Sequence, residues 1–217
     1  MAFRRKVSIR GMYGLGDSIY QRAFVRQFPG AFLRTPWPEL YCDLDVQFVR
    51  SNTSLRTQRK NEERTGVTYV RDPARPSEVL TIFYGPEELK KGSIVDAMTW
   101  QFGKAASVFD LPSYGESPVT EDKPIAVIRP ATVRKEWANP ARNPDPKYLT
   151  AAARELRKHF YVVSLADLEE DEEWLVGEQP EADLQLHQGE LSVTEMLALV
   201  EHAAVAVSGV GWALPVR

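Results

Sequence analysis

At 217 residues the chain has room for two small domains, since single domains commonly run to roughly 100–150 residues. Its 43% hydrophobic and 26% charged residues supply packed cores and exclude general disorder. With 27 Lys and Arg against 30 Asp and Glu the net charge is −3, which excludes a general electrostatic pull toward nucleic acid or anionic lipid, so any phosphate binding must be local.

Residues 6–10 predict a short strand. Gly11-Met12-Tyr13-Gly14-Leu15-Gly16-Asp17 then makes a glycine-rich turn into a helix over about 17–28. The helix places Ile19, Ala23, Phe24 and Phe28 at helical spacing, with Arg22 and Arg26 on another face. Pro29-Gly30 ends it. Ala31-Phe32-Leu33 predicts a second strand, and Pro36 and Pro38 restrict the short helix or turn that follows. Further strands are expected at 46–49 and 67–70, with a buried one at 79–83. Residues 54–64 are polar and weakly helical, whereas 92–102 put Ile94, Val95, Met98 and Phe102 on one side of a helix.

Residues 110–124 carry three prolines among mainly polar residues, the composition of an interdomain linker. This predicts domains of residues 1–118 and 119–217. Alternation restarts with a strand at 125–128, a long loop, and a helix over 146–159 with Leu149, Ala153, Leu156 and Phe160 as its buried stripe. Strands at 161–165 and 182–186 follow. Ser192 and Glu195 have the spacing of a capping box at the start of a helix that turns Met196, Leu197 and Val200 inward. A strand at 204–207 then leads into the tight turn Ser208-Gly209-Val210-Gly211. The order favours right-handed β-α-β units and parallel sheets in both halves. Glu169-Glu170-Asp171-Glu172-Glu173 reads as a solvated face.

No apolar core of a signal peptide follows Arg4-Arg5-Lys6, and no segment approaches the ~20 apolar residues of a bilayer span, so the expected compartment is cytoplasmic. Cys42 is the lone cysteine, which excludes an intramolecular disulfide and leaves no cysteine pair for a metal. His159 and His202 fit helix C-terminal cations, and His187 stands apart from both. No cofactor and no metal are expected.

Glycine-rich turns after strands let backbone amides approach an oxyanion where a helix N-terminus already favours negative charge. Gly11-x-x-Gly14-x-Gly16 is not the G-x-G-x-x-G fingerprint, and no P-loop Gly-Lys-Ser/Thr occurs, so NAD and ATP motifs are unsupported. Asp17 has two readings that its neighbours leave open. It is a structural first-turn carboxylate, or a general base for an acceptor hydroxyl whose charge the helix dipole favours.

The stretch Ile9-Arg10-Gly11-Met12-Tyr13-Gly14-Leu15-Gly16-Asp17-Ser18-Ile19-Tyr20 resembles the opening of glycosyltransferase family nine, the ADP-heptose and lipopolysaccharide heptosyltransferase group. Residues 189–200, followed by Ala203-Ala204-Val205-Ala206-Val207-Ser208-Gly209, resemble that family's late helix, strand and Ser-Gly turn. The resemblance implies an α/β, GT-B-like architecture of two Rossmann-like domains. The first takes the acceptor and the second a nucleotide-sugar, with reaction in the cleft and inversion at the anomeric carbon. Asp17 then falls at the catalytic carboxylate, with Gly14, Gly16 and Ser18 in the acceptor-side loop.

The same resemblance puts a hydroxyl and a cation in the loop after the first strand of the second half, here Arg129-Pro130-Ala131-Thr132-Val133-Arg134-Lys135-Glu136-Trp137. Thr132 would donate to the diphosphate while Arg134 or Lys135 neutralises the leaving group, with Ser208 and Gly209 beside them. An exposed basic loop is the plain alternative. Trp137 either stacks on a base or sugar or anchors packing.

The family's late turn commonly reads Asp-Ser-Gly-x-x-His, and this chain has Val207-Ser208-Gly209-Val210-Gly211-Trp212. Few residues follow, so the second half is expected to be incomplete, with apolar sheet surface left for a homo-oligomeric contact. Three readings result. The first is sugar transfer from a nucleotide-sugar to an unknown acceptor. The second is a truncated, non-catalytic relative that binds a nucleotide or a protein partner. The third is an unrelated α/β nucleotide-binding module.

Overall fold

A computed structural model describes residues 6–136, 138, 140–213 and 215–216. The chain divides into two compact units, Met1–Pro112 and Ser113–Arg217. In chain order the first contains β1 (Val7–Arg10), α1 (Leu15–Val25), β2 (Ala31–Arg34), a 3₁₀ turn (Pro38–Tyr41), β3 (Val46–Val49), α2 (Arg56–Arg64), β4 (Glu78–Thr81), α3 (Pro86–Leu89) and α4 (Ile94–Phe102). The second contains β5 (Ile125–Ile128), β6 (Thr132–Arg134), α5 (Pro146–Leu156), β7 (Tyr161–Leu165), β8 (Glu173–Leu175), β9 (Leu184–Leu186), α6 (Val193–His202) and β10 (Val205–Val207).

The first sheet runs β3-β2-β1-β4 and is parallel throughout. The second runs β10-β5-β7-β9, likewise parallel. Both follow one plan: the unit's first strand lies inside the sheet, two later strands extend to one side, and the last crosses to the other. That reversal is a topological switch point, where the loops leaving two adjacent strands part and open a crevice at the strands' carboxyl ends. In the first unit it lies between β1 and β4, in the second between β5 and β10.

Strand alternation builds the core of the second unit. Ile125 and Val127 face Leu199 and Val200 of α6 and its C-cap Ala203, whereas Ala126 and Ile128 join the α5 residues Leu149 and Ala153 on the other face. The period of two thus covers both faces of a parallel sheet with helices. The capping box at Ser192 forms, its hydroxyl accepting from the Glu195 amide. In the first unit Phe24 of α1 stacks on Phe102 of α4, ring centroids 5.0 Å apart.

Four expectations change. Residues 67–70 form no strand: the Val70 amide donates to the Phe48 carbonyl, and Tyr69 is held instead by the Arg50 guanidinium over its ring. β4 is mostly exposed rather than buried, with Val79 at the surface. The long loop after β5 contains β6, which pairs antiparallel with β8 as a separate two-stranded ribbon. Arg22 does not sit on an open face of α1. It is 1% exposed, because its guanidinium donates to the Leu40 carbonyl, the Asp110 carbonyl and both carboxylate oxygens of Asp43. These bonds hold the Asp43 carboxyl below its ordinary range. Arg22→Ala is expected to cost about 2–3 kcal/mol, read as a shift of the urea midpoint of the first unit, since two carbonyls lose a charged donor. The loss stays below that of a fully enclosed ion pair because the Asp43 side chain is 42% exposed.

Among the described residues no helix is long and apolar enough to cross a membrane.

Candidate functional site

The turn after β1 is shaped by close approaches. A methyl group at Gly11 would meet the Gln21 amide oxygen at 1.9 Å, and one at Gly14 would meet Asp17 Oδ2 at 2.2 Å. Glycine at these two places makes room for side chains of α1 that fold back over the turn. Three side chains grip the turn's carbonyls: Trp37 Nε1 and Gln58 Nε2 donate to Tyr13 at 2.7 and 2.9 Å, and Ser18 Oγ donates to Met12 at 3.4 Å. A trans peptide sets C=O and N–H antiparallel, so the Tyr13 and Gly14 amides point away from these clamps.

Gly14 is the N-cap of α1, while Gly16 and Asp17 lie in its first turn. Asp17 is half-buried, and its Oδ1 accepts a hydrogen bond from the phenol of Tyr84. Tyr84 lies in the loop after β4, so the pair spans the switch point of the first sheet. Ser18 is fully buried and belongs to the underside of the turn, its carbonyl accepting from Tyr41 at 2.8 Å.

In the second unit two of the predicted donor residues, Thr132 and Arg134, meet at a carboxylate that the sequence hid in an acidic run. Glu169, Glu170 and Asp171 are solvated, but Glu173 is 2% exposed. The strand register of β6 and β8 sets it opposite Arg134. Thr132 Oγ1 donates to Glu173 at 2.8 Å, Arg134 Nε pairs with it at 2.7 Å, and Arg129 Nη2 stands 3.9 Å away. Burial pushes the Arg129 guanidinium below its ordinary value, with Arg134 adding repulsion and Glu173 opposing both.

Arg129 links this cluster to the loop after β10: its amide donates to the Val207 carbonyl at 2.8 Å, and its Nη1 lies 3.8 Å from where a Gly211 Cβ would stand. At Gly209 a Cβ would press on Pro144 at 2.8 Å and the Arg142 carbonyl at 3.0 Å, so this glycine lets two segments pack closely. Asn143 joins the same segment to the Thr132 carbonyl at 2.8 Å. Thr132, Arg134 and Gly209 therefore lie around one switch point. Lys135 turns outward to Glu172 at 3.2 Å, and the Ser208 hydroxyl donates to the Gly209 carbonyl. Trp137 lies outside the described residues.

His187 is buried against Ser164, its Nε2 2.8 Å from the hydroxyl, and burial lowers its pKa below the ordinary value, with Glu190 opposing. The folded unit therefore resists the proton that an unfolded imidazole accepts near pH 6.5. Stability contributed by the neutral ring is present above that value and falls as the pH drops through it toward the folded pKa. Urea midpoints measured between pH 7.5 and 5 should show this loss, and His187→Gln should flatten it.

Both units carry parallel Rossmann-like sheets in a mixed α/β fold. Among solved structures, the bacterial iron-containing dodecameric glycosyltransferase TibC from enterotoxigenic E. coli H10407 is similar with a TM-score of 0.64 and 13% identity, over 99% of this chain and 56% of that one. Dodecameric iron-containing heptosyltransferase TibC in complex with ADP-D-beta-D-heptose is similar at 0.62 and 14%, with the same coverage. The chain thus spans little more than half the length of these neighbours. No family model matches it, and no curated protein matches it in sequence. Among the described residues no group of three or more His, Cys, Asp or Glu is arranged to hold a metal ion.

Proposed function

We propose that the chain is a glycosyltransferase of the family-nine kind, moving a sugar from a nucleoside-diphosphate sugar to an acceptor hydroxyl. The observation that carries this reading is Asp17, a half-buried carboxylate on a glycine-shaped turn at a sheet switch point. The acceptor oxygen attacks the anomeric carbon as the bond from that carbon to the phosphate oxygen breaks. Asp17 takes the acceptor proton, the new glycosidic bond forms with inversion, and the nucleoside diphosphate leaves with the bonding electrons. Arg129, Arg134 and the amides of the loop after β10 lower the cost of the charge that collects on that leaving group. The likeness to a structure holding ADP-D-beta-D-heptose supports an adenine nucleotide as the donor's base.

One observation favours a second reading, a relative that binds nucleotide without turnover: Thr132 and Arg134 already bond to Glu173. A single pair of measurements separates the two. ADP titrated by calorimetry is expected to bind with a Kd between about 1 μM and 1 mM, and ADP-heptose is expected to release its sugar slowly to water. Binding without release supports the second reading, and absence of both removes nucleotide-sugar chemistry altogether.

A further inference from the structure

Tyr84 follows β4, and the backbone on either side of it is held by side chains. The Ile82 amide donates to the Arg10 carbonyl at 2.8 Å, so the β1–β4 pairing continues past β4 and the two strands leave the sheet together. On the N-terminal side of Tyr84, the side-chain amide of Gln101 from α4 makes both backbone bonds of Phe83. Its Oε1 accepts from the Phe83 amide at 2.6 Å, and its Nε2 donates to the Phe83 carbonyl. On the C-terminal side, the Gly85 amide donates to Glu88 Oε2 at 2.8 Å. The residue between these two pins is held with its phenol on Asp17 Oδ1.

We propose that Tyr84 is the positioning residue of Asp17. It grips Oδ1 from across the switch point while the absent side chain of Gly14 leaves room for Oδ2. With one oxygen tied, the carboxylate plane is fixed, and the proton from an acceptor hydroxyl goes to Oδ2. A carboxylate free to rotate would reach that geometry in a fraction of encounters, so the tyrosine acts on the rate of the chemical step rather than on substrate affinity. This inference rests on Asp17 as the base in the proposed reaction.

The test uses the full chain in two arms. In the first, 3-fluorotyrosine is placed at position 84 and its ¹⁹F resonance compared with and without Asp17→Ala. The resonance is expected to move, and an unmoved resonance overturns the pairing whatever the activity. In the second, ADP-heptose hydrolysis to ADP and free heptose is followed for wild type and Tyr84→Phe, with a thermal melt to show that the variant folds. Tyr84→Phe is expected to lower kcat about tenfold with KM unchanged, the effect of losing one hydrogen bond to a charged group. A moved resonance with unchanged kcat overturns the positioning role and leaves Asp17 as base. A moved resonance with no turnover in wild type overturns the reaction itself and makes the pair a contact of the fold. Should Tyr84→Phe melt early, Gln101→Leu supplies the kinetic reading: it frees the Phe83 backbone beside Tyr84 and leaves Asp17 and the phenol chemically intact, so kcat is expected to fall with KM unchanged, and an unchanged kcat overturns the positioning role.

Discussion

Asp17→Asn is expected to lower nucleotide-sugar turnover by about 10²–10⁴-fold and to leave ADP binding unchanged. Asparagine keeps the volume of the carboxylate and an oxygen that accepts from Tyr84, so the turn after β1 retains its clamps on Met12 and Tyr13. What disappears is the ability to take a proton. The effect therefore falls on kcat, measured by release of ADP or free sugar, with the melting temperature held. Turnover that survives the substitution would transfer the base to another group. A parallel loss of ADP affinity would mean that the variant damages folding rather than chemistry, because the Thr132–Arg134 cluster belongs to the other unit.

Glu173→Ala is expected to destabilise the second unit by about 2–4 kcal/mol, below the cost for a fully enclosed ion pair because the Arg134 and Arg129 side chains keep 26% and 25% of their surface in water. The Glu173 side chain is fully enclosed, and its loss takes the carboxylate from Arg134, Arg129 and the Thr132 hydroxyl. Urea unfolding followed by tryptophan fluorescence reads the shift, with Trp174 in the same strand as Glu173. Glu173→Gln keeps the shape but removes the charge. Weaker ADP binding in that variant would show that the carboxylate holds the loop for the nucleotide, and tighter binding would show that it competes with the phosphate for the same donors.

Much of the fold was legible because it is written in local patterns. The apolar run of β5, the turn glycines before α1 and the Ser192–Glu195 capping box each specify structure within a few residues. Glu173, which organises the second site, and Arg22, which ties α1 into the first unit, were not legible for the opposite reason. Glu173 looks like its solvated neighbours until β6 and β8 pair, and three residues per strand are too few to show a period. Arg22 likewise falls on a face of α1 that the hydrophobic pattern leaves to solvent, and its distant partners Leu40, Asp43 and Asp110 make it an interior residue. Tyr84 left one faint signal: Gly85-Pro86 beside it marks a chain turning sharply at the end of a strand.

The placement of both sites at switch points has a consequence for the order of folding. Tyr84 and Asp17 are 67 residues apart in sequence, and Thr132 and Glu173 are 41 apart. Helices and near-neighbour strand pairs close short loops and form early, whereas contacts this distant must first overcome a larger loop-closure entropy. A nascent or partly refolded chain is therefore expected to make its near-neighbour contacts while the carboxylate at Asp17 still lacks its tyrosine. The β1–β4 and β5–β10 pairings join residues farther apart still, so chemistry at Asp17 would begin only once the long-range contacts of the first sheet are made.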